Sequence, residues 1–182
     1  MSKPNTTLIY VAAYLAVFGQ AALPGARHWL GAQVDLLPAL MVYTALHAGL
    51  VNLSLLAVLG GVFIDSLSEN PFGISILPLF LVGYVIYQQR DLILRDLPFA
   101  QFVMGAAASA VVPLLTVLLL LTGGKPLLLG WGSLWQWAVM TAGGAAATPL
   151  MFAGFRWFNH VFSYKIHSES SFRPDREIRR NR

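Results

Sequence analysis

LLPALMVYTALHAGLVNLSLLAVLGGVFI, residues 36–64, contains no Asp, Glu, Lys or Arg. A helix that crosses a bilayer takes about 20 apolar residues. The run is therefore generous for one pass and short for two. His47-Ala48-Gly49 and Asn52 lie at its middle, where polar atoms and a glycine favour a turn. The preferred reading is two short or partly embedded helices, 35–47 and 50–65. The alternative is one long tilted helix.

Outward from this stretch the chain repeats the pattern. Apolar runs predict further helices over 5–26, 71–89, 98–122 and 131–158, separated by short charged or Gly/Pro-rich segments. The whole is then an all-α membrane bundle of about six transmembrane helices over residues 1–164, followed by a basic tail, 165–182. The alternating polar strands of an outer-membrane barrel are not seen.

Composition gives the same reading. Residues are 57% hydrophobic and 11% charged, and mean hydropathy is +0.64. Soluble domains carry about a quarter charged residues because water must solvate their surface; a chain this apolar needs lipid as solvent. It has no cysteine, which excludes a disulfide framework, a thiolate nucleophile and a Cys-ligated metal. The first apolar run follows Lys3 without a clear small-residue cleavage site, and reads as a retained helix.

Charge placement sets the expected topology. The net charge is +4, and the basic residues cluster at the C-terminal end. Basic loops stay in the cytoplasm, so the loop with Arg90 and Arg95 and the tail fall inside. Asp65 and Glu69 fall outside. Six passes put the N-terminus inside with Lys3, and five put it outside.

Few residues invite chemistry. Asp35 is placed to cap a helix start. Asp65 closes an apolar run, with Glu69 four residues on. A carboxylate pair serves acid–base work or cation binding in some proteins, but more often marks a membrane boundary. His47 reads as a turn residue near the interface rather than a proton or ligand contact, and a single His supplies no metal site. Asp91 and Arg95 have the i, i+4 spacing of a helical ion pair. Gly60-Gly61, the Gly105–Ala110 cluster and the Gly143–Ala147 cluster let membrane helices approach closely. Aromatic residues from Phe155 to Tyr164 interleave with Arg156, His160 and Lys165, as at a headgroup-level helix end. Arg156, Lys165, Arg173, Arg176, Arg179 and Arg180 are candidate contacts to anionic lipid or a cytoplasmic partner. GxxxxGK[ST], HExxH and GxSxG are missing. No nucleic-acid platform, metal or cofactor site is expected.

The order of features over residues 34–87 adds a resemblance. Val34-Asp35-Leu36-Leu37-Pro38 opens a short helix ending in Tyr43-Thr44-Ala45-Leu46-His47-Ala48-Gly49. Gly60-Gly61-Val62-Phe63-Ile64-Asp65-Ser66-Leu67 precedes Asn70-Pro71-Phe72-Gly73, and Leu81-Val82-Gly83-Tyr84 follows. This resembles the rod shape-determining MreD family, with its Asp-Leu-Leu helix start, Gly-rich helix ending in Asp, and Pro-x-Gly turn. Here Pro38 follows the Asp-Leu-Leu rather than preceding it, and the tail is longer. The resemblance covers about a third of the chain. It implies a non-enzymatic part of the cell-elongation machinery in the bacterial inner membrane. The implied partners are MreC and, through it, MreB, RodA and the elongation penicillin-binding transpeptidase. It also implies a fold similar to the substrate-binding subunits of energy-coupling-factor transporters, so a vitamin-type transporter subunit is the alternative. The packing or partner contacts expected on this reading are Asp35, Gly60, Gly61, Asp65, Pro71, Gly73, Arg90 and Arg95.

Overall fold

A computed structural model describes residues 6–22, 31–68, 70–93, 97–124 and 130–163. These form six α-helices and no strand: α1 Thr6–Ala22, α2 Leu37–His47, α3 Leu50–Leu67, α4 Ile76–Gln88, α5 Pro98–Thr122 and α6 Trp131–Ser163. Three of them, α3, α5 and α6, are long and apolar enough to cross a membrane; α1, α2 and α4 are apolar but shorter. Six passes of full spanning length are therefore not what the helices provide.

The uncharged run that opened the sequence breaks at Ala48–Gly49. The Ala48 amide bonds back to Thr44, and the Leu53 amide to Gly49. The two helices that result are antiparallel, since Leu37 at the start of α2 packs on Gly60 late in α3. Other contacts give the remaining directions. Tyr10 and Phe18 of α1 meet Asn52 and Phe63, so α1 runs parallel to α3. Ile76 and Gly83 of α4 meet Gly61 and Leu53, so α4 is antiparallel to α3. Gly105 and Ser109 of α5 meet Thr148 and Gly144 of α6 in an antiparallel hairpin. Direction thus alternates from each helix to the next.

α2 is the hub. Every residue from Leu37 to Leu46 is buried, and the helix touches all five others. Its sequence explains this, because a helix apolar all round has no face to offer water. Leu37, Leu40, Met41 and Leu46 join Leu53, Leu56, Leu79 and Phe152 in the core.

The outside is apolar too. Val51, Leu55 and Val58 of α3, Leu77, Leu81 and Val85 of α4, and Leu114, Leu118 and Leu121 of α5 are exposed. Such a surface is compatible with a membrane environment. On α6, Trp131 and Trp135 lie near one end and Trp157 near the other, all exposed. Trp135 and Trp157 are about 33 Å apart along a helix, close to the ~30 Å of a bilayer's hydrocarbon core with its flanking aromatic belts.

Where the helices differ from expectation, local chemistry is the reason. Residues 71–75 do not extend α4, because the chain turns there on Pro71 and on Gly73 at φ +89°. α6 continues past residue 158 to Ser163. Residues 23–26, expected as the end of the first helix, and the tail 165–182 lie outside the described residues.

Candidate functional site

Asp65 is the best-defined polar group in the bundle. It sits near the end of α3 with 1% of its surface exposed. Its Oδ2 accepts hydrogen bonds from the Gly73 amide at 2.8 Å and the Ser75 amide at 3.2 Å. Its Oδ1 accepts one from the Ser75 hydroxyl at 2.6 Å. A buried carboxylate is costly unless hydrogen-bonded, and three donors from one loop meet that need. The loop is shaped to deliver them. The Ile74 amide closes a turn on the Pro71 carbonyl at 3.3 Å, and Gly73 adopts a positive φ that a side chain would strain.

The paired glycines seat the same turn. A Cβ on Gly61 would lie 2.8–2.9 Å from Ile76 atoms, backbone included. One on Gly60 would lie 2.5 Å from the Leu37 side chain. Leu37 in turn receives the Asp35 carboxylate, whose Oδ1 accepts from the Leu37 amide at 2.9 Å. Asp35 thus holds the start of α2 through a turn ahead of it; the residue at the cap position is Leu36, which makes no side-chain cap bond, so Asp35 is not the cap the sequence suggested. It lies just ahead of α2.

Asp35, Gly60, Gly61, Asp65, Pro71 and Gly73 are therefore one connected packing unit. It holds the start of α2 and the start of α4 against the last turns of α3. With three donors directed at it, the Asp65 carboxylate acts as an anchor for the loop. Glu69 lies outside the described residues. Among the described residues no cluster of three or more His, Asp or Glu is arranged to hold a metal ion.

Arg90 lies apart from this unit, at the far end of α4. Its guanidinium is 4.3 Å from the Tyr87 ring centre, and its Nε is 3.8 Å from Asp91 on the surface. Arg95, Lys165, Arg173, Arg176, Arg179 and Arg180 lie outside the described residues. Arg156 is exposed on α6, between buried Phe155 and exposed Trp157. His47 ends α2, its Nδ1 3.1 Å from the Tyr43 carbonyl and its ring stacked on Tyr43 at 4.6 Å. Phe152 and Phe155 close round the Tyr43 ring at 5.1 and 4.1 Å.

Three features escaped the sequence reading. Ser75 supplies two of the three donors to Asp65, and a lone serine ahead of a helix gives no signal of that. Gln136 clips the segment before α2: its Oε1 accepts from the Gln33 amide at 3.0 Å and its Nε2 donates to the Gln33 carbonyl at 2.8 Å. Two polar side chains 103 positions apart carry no mark of pairing. Finally, the small-residue clusters were visible, but not their partners. Gly105 lies against Thr148 and the Gly144 carbonyl, and Gly144 against Ser109. Packing within the chain is the role these contacts give them.

Comparison of the chain with family models, curated proteins and solved structures found no match.

Proposed function

We propose that this chain is a non-enzymatic, multi-pass component of the bacterial inner membrane that supports cell elongation in the manner of the MreD family. One observation carries the reading. Six of the residues that bear the resemblance, Asp35, Gly60, Gly61, Asp65, Pro71 and Gly73, are joined by contact and hydrogen bond around the α3–α4 turn and the start of α2. A motif that builds a packing unit suits a scaffold, which acts by presenting surfaces rather than by chemistry.

The alternating directions of the six helices support six passes, with α2 and α4 as short ones enclosed or flanked by longer neighbours. In this arrangement Arg90, Arg156 and the basic tail lie on the cytoplasmic side, following the positive-inside rule. The N-terminus lies there too, and the Asp65 turn faces outward. The exposed apolar helix faces meet lipid and the membrane segment of MreC, and through MreC the chain serves MreB, RodA and the elongation transpeptidase. The basic tail meets anionic headgroups or a cytoplasmic partner.

Depletion in the source cell tests this. Rod-shaped cells should round up and lose lateral peptidoglycan synthesis, and the tagged protein should copurify with MreC from intact membranes. Unchanged shape together with no MreC association would remove the reading.

A further inference from the structure

The helices meet lipid over unequal lengths. α4 has 13 residues, about 20 Å of helix. Its lipid-facing stripe is Leu77, Leu81 and Val85, which spans only about 12 Å. Polar groups bound it on both sides. At one end is the turn held on Asp65; at the other are exposed Gln88 and Gln89, followed by Arg90 and Asp91. α5, packed beside α4, exposes apolar side chains from Phe99 to Leu121, and α6 exposes Trp131 through Trp157. Those stretches run about 33 and 39 Å.

The shortfall lies at one end of the molecule. Near the Arg156 end, Tyr43 and His47 of α2 stack with Phe152 and Phe155 of α6. Towards the other end, Leu37 meets Gly60, Ile76 meets Gly61, and Val34 meets Gly143. α2 and α4 begin near that level. α3 rises seven residues further to Leu67, about 10 Å, whereas α6 rises twelve residues from Gly143 to Trp131, about 18 Å. Counted from those contacts, α3 ends fewer turns beyond them than α6 does. α4 has no freedom to slide outward, because Gly61 and Gly83 leave less than a methyl group's room against Ile76, Leu53 and Met41. The exposed Ser66 and Ser68 hydroxyls turn back onto backbone carbonyls of the chain, and an irregular loop of this kind belongs at a polar level rather than against hydrocarbon.

We propose that the bilayer is locally thinned beside α4, at the end opposite Arg90, and that this face takes short or compressed phospholipid chains while the α5–α6 hairpin keeps lipid of full thickness. Phe72, 77% exposed on the turn, offers a position from which the local headgroup level can be read. Thinning is the usual response to a short hydrophobic span. The inference requires only that the chain lies in a bilayer; it is independent of any role in elongation.

The test uses the full chain in phosphatidylcholine vesicles with brominated acyl chains. One version replaces the five native tryptophans by Phe and carries Phe72→Trp; a second keeps only Trp131. In 18-carbon lipid both tryptophans should be quenched as headgroup-level fluorophores, despite their different heights in the bundle. Competition should enrich 14-carbon over 22-carbon lipid about twofold or more at Phe72→Trp, and not at Trp131. Quenching of Phe72→Trp at mid-chain depth would overturn the proposal. So would absence of quenching, which would mean that another protein surface covers the turn. A measurement on the unsubstituted chain guards against misfolding: its thermal midpoint should be higher in mixed 14- and 18-carbon vesicles than in pure 18-carbon vesicles, and an equal or lower midpoint in the mixture would overturn the proposal.

Discussion

Asp65 ties the last turn of α3 to the first turn of α4 through three donors. Removing the carboxylate leaves two buried amides and a hydroxyl without their acceptor, and each such loss costs about 1–3 kcal/mol. Asp65→Ala should therefore lower stability by about 3 kcal/mol or more, and Ser75→Ala, which deletes one bond, by about 1 kcal/mol. Thermal unfolding in detergent measures both, and equal midpoints for the two variants would contradict this ranking.

At the scale of elements, helix association turns on a few glycines whose neighbours leave no space. A side chain on Gly61 would meet Ile76 backbone atoms at 2.9 Å, and one on Gly105 the Gly144 carbonyl at 2.7 Å. Gly61→Leu and Gly105→Leu should each cost at least the 1–3 kcal/mol typical of overpacking. Gly154→Ala is the control. Gly154 is also within a helix, but nothing lies within 4 Å of its added Cβ, and alanine there should be neutral or stabilise by up to about 1 kcal/mol. Equal effects at Gly61 and Gly154 would show that helix propensity, not contact, governs both. Only part of this was readable beforehand. The clusters announced close approach, but every glycine in them looked alike. Gly60 and Gly61 adjoin in sequence yet face different helices, one against α2 and one against α4.

At the scale of the molecule, alternation of six helices places Ser66 and Gln89 at opposite ends of the bundle, both exposed. The chain has no cysteine, so single cysteines report position cleanly. In intact cells Ser66→Cys should react with a membrane-impermeant maleimide. Gln89→Cys should react only after permeabilisation. Labelling of both from the same side would exclude the six-pass arrangement. Deletion of residues 172–182 should leave this labelling unchanged and weaken binding to anionic vesicles. Loss of insertion would instead assign those charges to topology.

Composition and the spacing of charges pointed to an all-helical chain apolar enough for a membrane, and made a turn near residues 48–49 the preferred of two readings. Asp65 and the Pro71–Gly73 turn also stood out as unusual in an apolar chain. The tertiary structure decided the rest: that α2 is the enclosed hub, that the Asp65 carboxylate points into the returning loop, and that the helices differ so widely in span. The physical reason lies in the solvent. In water a polar face tells a helix which side to bury. Here the inner and lipid-facing sides of each helix are equally apolar, so orientation is set by the close fit of small residues and by a handful of hydrogen bonds between distant parts of the chain.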